Sequence, residues 1–272
     1  AGRRVAAREP CLVLSNDDGV EGPGLLQLAD ALRAATGLRA VVVAPERNQS
    51  GQSMAITLRR EMRLSPRPDL APDTFAVAGS PADCMNAALY RGTGVLDRLG
   101  LHPVLAVSGI NHGPNLGLDV LFSGTVGAAR CAAMHGVPAV AASLATKEPD
   151  AEYQGAVEAT AQVVRLLLEA GGAAPAQGWP RTQGGVPRSA CGRYSEPGLR
   201  HGPDSARLSA SEEELGAEGE GDTLGLLQRA FLRGDVFLNL NAPAAWPAPG
   251  GAFAAAGLGL MYYQNSLEAV GG

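Results

Sequence analysis

The sequence predicts an α/β protein, a mostly parallel sheet with helices on both faces. Three observations predict it. Short apolar runs rich in Val and Ala recur along the chain, as in Cys11–Ser15 and Arg39–Ala44, and each ends in polar residues. They alternate with stretches whose apolar residues fall at helical spacing. The strand candidates are apolar throughout rather than at every second residue, so both faces need cover. With 46% hydrophobic residues in a chain of 272, there is apolar material for one sizeable core.

Each element has its own signal. Cys11–Ser15 is short enough and apolar enough for a buried strand. Over Gly24–Thr36, Leu25, Leu28, Ala29 and Leu32 repeat at helical spacing, and Gly37 stops the helix. Arg39–Ala44 returns as a Val-rich strand, and Thr74–Ala78 reads as another. A helix over Pro81–Tyr90 has Ser80 as its cap, Pro81 at its first position and Asp83 at its positive end. Pro103–Ser108 is a strand, Ser123–His135 a helix of small residues, and Val137–Ser143 a strand again. Glu152–Ala170 is an amphipathic helix built on Val157, Ala161, Val164, Leu167 and Leu168. These elements make residues 11–170 the core.

The composition then breaks. Gly171–Asp222 holds 11 Gly and 5 Pro in 52 residues, with no Ile, Met or Phe. Such a stretch buries too little to offset its ordering entropy, and it reads as a long disordered insertion rather than a second domain. In the remaining segment, 223–272, a short helix is expected over Thr223–Leu232 and a last strand over Asp235–Asn239.

Several function classes are excluded. The net charge is −5 and only 18% of residues are charged, which argues against a broad basic surface for a nucleic-acid polymer. The four cysteines, 11, 84, 131 and 191, contain no CxxC pair, so neither a zinc knuckle nor a redox dithiol is expected. Cys84 and Cys131 fall on apolar helix faces and read as packing residues. The basic start at Arg3, Arg4 and Arg8 is followed by no apolar signal core. It reads as a frayed terminus or as the remnant of a transit segment. Val236–Leu267 is uncharged, but Pro243, Pro247 and Pro249 interrupt it, short of the ~20 residues a membrane span needs. The expectation is a soluble intracellular protein without a membrane partner.

In an open α/β sheet, ligands bind outside the carboxyl ends of the strands. Three strands there deliver Asn16-Asp17-Asp18-Gly19, Pro45–Gly51 (PERNQSG) and Gly109–Gly117 (GINHGPNLG). Two carboxylates about 4 Å apart repel by roughly 4 kcal/mol at an effective dielectric near 20, and a hard divalent cation removes that penalty. Asp17 and Asp18, with Ser50 and Asn111, form an all-oxygen set that favours Mg2+ or Mn2+, with Ca2+ also suited, over zinc. The plain alternative is a polar turn in which Asp-Gly reverses the chain and Asn16 caps it. Ser123-Gly124-Thr125 precedes a helix whose free N–H groups and dipole suit an anion; an ordinary N-cap is the competing reading. His112 either faces the metal or substrate or is an exposed loop residue. His102, His135 and His201 read as structural or solvated. No Walker, GxGxxG or GxSxG pattern is present. A cation beside two acids, with an anion site nearby, fits phosphate-ester hydrolysis.

The strings LVLSNDDGVEGPG (Leu12–Gly24), VVAPERNQSGQS (Val42–Ser53), GSPADC (Gly79–Cys84) and AVSGINHGPNLGLDVLFSGTVGAA (Ala106–Ala129) resemble the SurE-type nucleotidase/phosphatase family in order and spacing. DVFLNLNAP (Asp235–Pro243) resembles that family's last core strand. The resemblance implies a Rossmann-like core that hydrolyses nucleoside 5′- and 3′-monophosphates with one divalent ion. It implies Asp17, Asp18, Ser50 and Asn111 as metal ligands, Asn115 with Ser123-Gly124-Thr125 as phosphate contacts, and Asp17 as base or nucleophile. It also implies a homo-oligomer built on a C-terminal arm. This chain departs there: its last residues are Ala-, Gly- and Pro-rich and lack the family's Thr-Pro-Leu pattern. A catalytically weak metal- or nucleotide-binding module is therefore the alternative. A glycosyltransferase-like use of Asp-Asp lacks the spaced DxD it would need.

Overall fold

The computed structural model describes residues 8–170, 231, 237–246 and 253. In chain order the elements are β1 (Glu9–Ser15), α1 (Pro23–Thr36), β2 (Arg39–Pro45), β3 (Leu64–Pro66), β4 (Thr74–Val77), α2 (Pro81–Leu89), α3 (Val95–Arg98), β5 (Leu101–His112), α4 (Asp119–Phe122), α5 (Gly124–Met134), β6 (Ala139–Leu144), α6 (Gln154–Ala170) and β7 (Leu238–Ala242). The strands form one sheet in the order β3-β4-β2-β1-β5-β6-β7. Every pairing is parallel except the short edge strand β3 against β4. The Rossmann-like α/β expectation holds.

The two-faced burial expected from the apolar strands is explicit. Alternate residues of β1 point opposite ways. Leu12 and Leu14 join a core layer with α1 and α6, through Leu25, Leu28, Leu32, Val157 and Val164. Cys11 and Val13 join the opposite layer with α2 and α5, through Met85, Ala88, Val126 and Ala132. Each fully buried Leu contributes roughly 1.5–3 kcal/mol. Local signals set the helix ends. Gly37 closes α1 at φ 69°, where the left-handed conformation favours Gly. Ser80 and Asp83 complete a capping box at the start of α2.

Three differences from the sequence reading have physical causes. β3, α3 and α4 are too short to carry a periodic signal. β5 does not stop at Ser108 but runs to His112, because its register against β6 shifts between Ser108 and Asn111 and pairing then resumes as Asn111↔Ser143 and His112↔Leu144. Gly109 permits this bulge: its φ is +138°, and a Cβ there would lie 2.2 Å from the Ala142 carbonyl oxygen. β7 ends further along the chain than expected, at Ala242 rather than Asn239, because pairing with β6 continues to Leu144↔Ala242; Asp235 and Val236 lie outside the described residues. The insertion expected at 171–222, the helix expected at 223–232 apart from Phe231, and most of the tail to 272 lie outside the described residues. Among the described residues, no helix is long and apolar enough to cross a membrane.

Candidate functional site

The strand order reverses direction between β1 and β5: β2 and β4 continue outward from one, β6 and β7 from the other. A crevice opens at the carboxyl ends of such a pair of strands. Asn16-Asp17-Asp18-Gly19 leaves β1 there, and Asn111-His112 ends β5 there. The polar turn expected at NDDG is present. The Asn16 side chain donates to the Gly19 carbonyl at 2.9 Å and accepts from the Gly19 N–H at 3.2 Å. This turn sets Asp17 and Asp18 on rigid backbone.

Asp17 is buried, and its Oδ1 accepts the Thr125 hydroxyl at 2.5 Å. The acid after β1 is thereby tied to the first turn of α5. Gly124 makes that approach possible, because a Cβ there would lie 2.7 Å from Asp17 Cβ. Ser123 is the N-cap, and its hydroxyl accepts the Val126 N–H at 3.1 Å. The cap reading of Ser123 therefore holds. The Thr125 hydroxyl is engaged by Asp17, and the N–H groups of Gly124 and Thr125, at the helix start, face away from any acceptor inside α5.

Asp18 is half-buried. Its carboxyl is pushed up from 3.8 to about 6, first by burial and then by the negative charge of Asp17. A hydrogen bond from the His112 backbone and the charge of His112 act the other way. His112 is not in a loop, as the sequence suggested, but is the last residue of β5. Its ring meets Tyr153 edge-on with centroids 5.8 Å apart. Burial, and then the charge of Asp18, raise the Tyr153 pKa.

The loop after β2 closes on the acids from the other side. The Gln49 N–H donates to the Asp17 carbonyl at 2.6 Å, and Asn48 Nδ2 reaches Asp18 Oδ1 at 3.4 Å. Asn48 Oδ1 in turn accepts the Ser50 N–H at 3.0 Å, and Ser50 is exposed. The same loop is laced to the approach to α5, where Ser53 bonds the carbonyls of Leu121 and Phe122. Asn111 directly precedes His112, and its amide nitrogen is committed to the Gly113 carbonyl at 2.8 Å, so its carbonyl oxygen is the end left for a ligand. Asn115 is buried and bonded to Ser143, Asn239 and Asn241.

The structure thus joins Asp17 to Thr125 by a hydrogen bond and sets Asp18 under the influence of Asp17 and His112; Ser50 follows Asn48, which reaches Asp18, Asn111 precedes His112, and Asn115 bonds to Ser143, Asn239 and Asn241 rather than to the acids. Sequence reasoning missed Asn48, Ser143, Tyr153, Asn239 and Asn241. Asn48 stood in a loop already singled out. The alternating asparagines of Leu238–Ala242 were a signal too, since Asn is disfavoured inside strands without a special partner. His135 is structural, as expected, with Nε2 2.8 Å from Asn86 Oδ1. Cys84 and Cys131 are buried with their thiols, and burial pushes Cys131 up to about 12.

The donor set suits a hard cation. Among the described residues no group of three or more His, Cys, Asp or Glu gathers, so two carboxylates and neutral oxygens are the ligands on offer.

Comparison with known proteins identifies relatives of this chain. A family model described as "Survival protein SurE" matches residues 12–250. A 5′-nucleotidase SurE of Sorangium cellulosum is 50% identical over 134 residues, covering 49% of each chain. A protein of that name from Anaeromyxobacter sp. is 48% identical over 156 residues, 57% of each chain, and one from Geobacter metallireducens 42% over 160 residues, 59% of each. The crystal structure of a SurE protein from Aquifex aeolicus superposes with a TM-score of 0.52 at 34% identity, covering 59% of this chain and 60% of that one. The chain spans about half to three fifths of the length of these relatives.

Proposed function

The chain belongs to the SurE survival-protein family, and from that premise we propose that it is a divalent-metal-dependent phosphomonoesterase acting on nucleoside 5′- and 3′-monophosphates. The observation that carries the reading is the Thr125–Asp17 hydrogen bond, which joins an acid pair to the anion-favouring start of α5. The relatives named as 5′-nucleotidases supply the substrate class.

In this reading Asp17, Asp18, Ser50 and Asn111 would hold one Mg2+ or Mn2+ ion. The bound ion supplies charge neutralisation at the phosphoryl oxygens. The chain's own groups do the rest. The N–H groups of Gly124 and Thr125 and the Asn115 amide receive the phosphate oxygens. Asp17, its Oδ1 fixed by Thr125, uses its other oxygen as base, taking a proton from the attacking water and returning it to the leaving nucleoside oxygen, or as the nucleophile, in which case the leaving oxygen takes its proton from water and a water then cleaves the acyl phosphate to free phosphate and carboxylate. The new O–P bond forms opposite the ester bond that breaks. His112 lies beside Asp18 as a further substrate contact.

The test is release of phosphate from AMP, GMP and p-nitrophenyl phosphate with Mg2+ or Mn2+, repeated with EDTA. Activity that needs the ion and drops strongly in Asp17→Asn and Asp18→Asn is expected. Equal rates with and without chelator, or a folded but inactive chain, overturn the reading.

A further inference from the structure

We propose that Asn239 and Asn241 are positioning residues for phosphate recognition, acting through Asn115. The proposal rests on the reading of Asn115 as a phosphate contact. Asn115 lies on a segment between β5 and α4 that belongs to no strand or helix, so no ladder fixes it. β7 takes over that role with side chains. Asn241 Oδ1 accepts the Asn115 N–H at 2.8 Å, and Asn241 Nδ2 donates to the Asn115 carbonyl at 3.2 Å. One amide therefore meets both backbone groups of a single residue. Asn239 Nδ2 donates to the same carbonyl at 2.9 Å.

The side chain of Asn115 is held separately. Its Nδ2 donates to Ser143 Oγ at 2.9 Å. An amide nitrogen carries two protons, so one N–H remains for a phosphate oxygen. The strand register explains why three polar groups converge. Ala141 pairs with Asn239 and Ser143 with Asn241, so Asn239, Asn241 and Ser143 share one face near the carboxyl ends of β6 and β7. Ser143 is also the register partner of Asn111. Asn239 is exposed and Asn241 half-buried, and the side-chain amides of both turn to the backbone of Asn115.

The experiment uses the full chain and inorganic phosphate as the probe. Binding is read by calorimetry with Mg2+ present, KM is measured for AMP, and thermal unfolding is followed in parallel. Asn241→Ala is expected to weaken phosphate binding and raise KM by about tenfold, and Asn239→Ala by about threefold, the range for losing one or two hydrogen bonds. The Mg2+ concentration giving half-maximal activity stays the same. In an Asn115→Ala background, Asn241→Ala adds less than about twofold, because the group it positions is gone. Asn241→Asp, which keeps the acceptor, and Ser143→Ala carry the same test if Asn241→Ala does not fold. An Asn241→Ala protein that melts earlier but binds phosphate as the parent does overturns the proposal alone, as does an undiminished effect in the Asn115→Ala background. A parent chain that binds no phosphate overturns the functional reading as well.

Discussion

Asp18 carries the largest electrostatic tension in the site. Its folded-state pKa, about 6, lies above its ordinary 3.8. The folded protein therefore holds that proton more tightly than the unfolded chain does. The stabilisation this gives is complete below pH 3.8 and is lost as pH rises through about 6. Asp18→Asn should thus stabilise the metal-free protein at pH 7.5 by about 1–2 kcal/mol, after discounting for partial exposure, and should flatten stability between pH 4 and 6 in urea titrations. Thr125 makes the opposite prediction. Thr125→Val leaves a buried carboxylate oxygen without its donor and should destabilise by about 1–3 kcal/mol while lowering kcat about 10–100-fold. Thr125→Ser should restore most of both. The acid pair and Asn111 were legible in the sequence because they stand where polar residues abruptly follow apolar strands, and Ser123-Gly124-Thr125 because it precedes a helix of small residues. The Thr125–Asp17 bond was not, since it joins residues 108 positions apart that only the closed sheet brings together.

At the scale of elements, the strands and helices of residues 11–170 were readable wherever burial dictated composition, and their ends wherever a cap did. α1 ends at Gly37 and α2 begins at the Ser80 box for reasons visible in four or five residues. β5 was not readable past Ser108, because Gly-Ile-Asn-His has the composition of a loop while behaving as a bulged strand. Gly109 is the hinge of that difference. Gly109→Ala places a methyl group 2.2 Å from the Ala142 oxygen and should cost about 3 kcal/mol in chemical denaturation, with Asn111 and His112 displaced and activity lost. The end of β7 was misplaced because nothing in Leu240, Asn241 and Ala242 alone marks them as strand; the choice is made by pairing with β6, which sequence alone does not express.

Across the whole molecule, the site draws on the first strand, the loop after the second, the last turn of β5, the start of α5 and, through Asn115, the final strand. A ligand binding there stabilises all of them together. If a divalent ion occupies the acid pair, a concentration one hundred times its Kd should add about 2.7 kcal/mol and raise the Tm by about 5–10 °C. Asp17→Asn should abolish that shift when followed by calorimetry with and without EDTA.

β7 has one more consequence, for the order in which the chain is made. All six residues of β6, AVAASL, are buried, and one of its edges is covered by β7. During synthesis β6 emerges long before residue 238 does. Throughout that interval the nascent sheet presents a bare, uncharged border able to recruit a strand from another chain. Arrival of β7 caps that border and brings Asn239 and Asn241 to Asn115 in the same event.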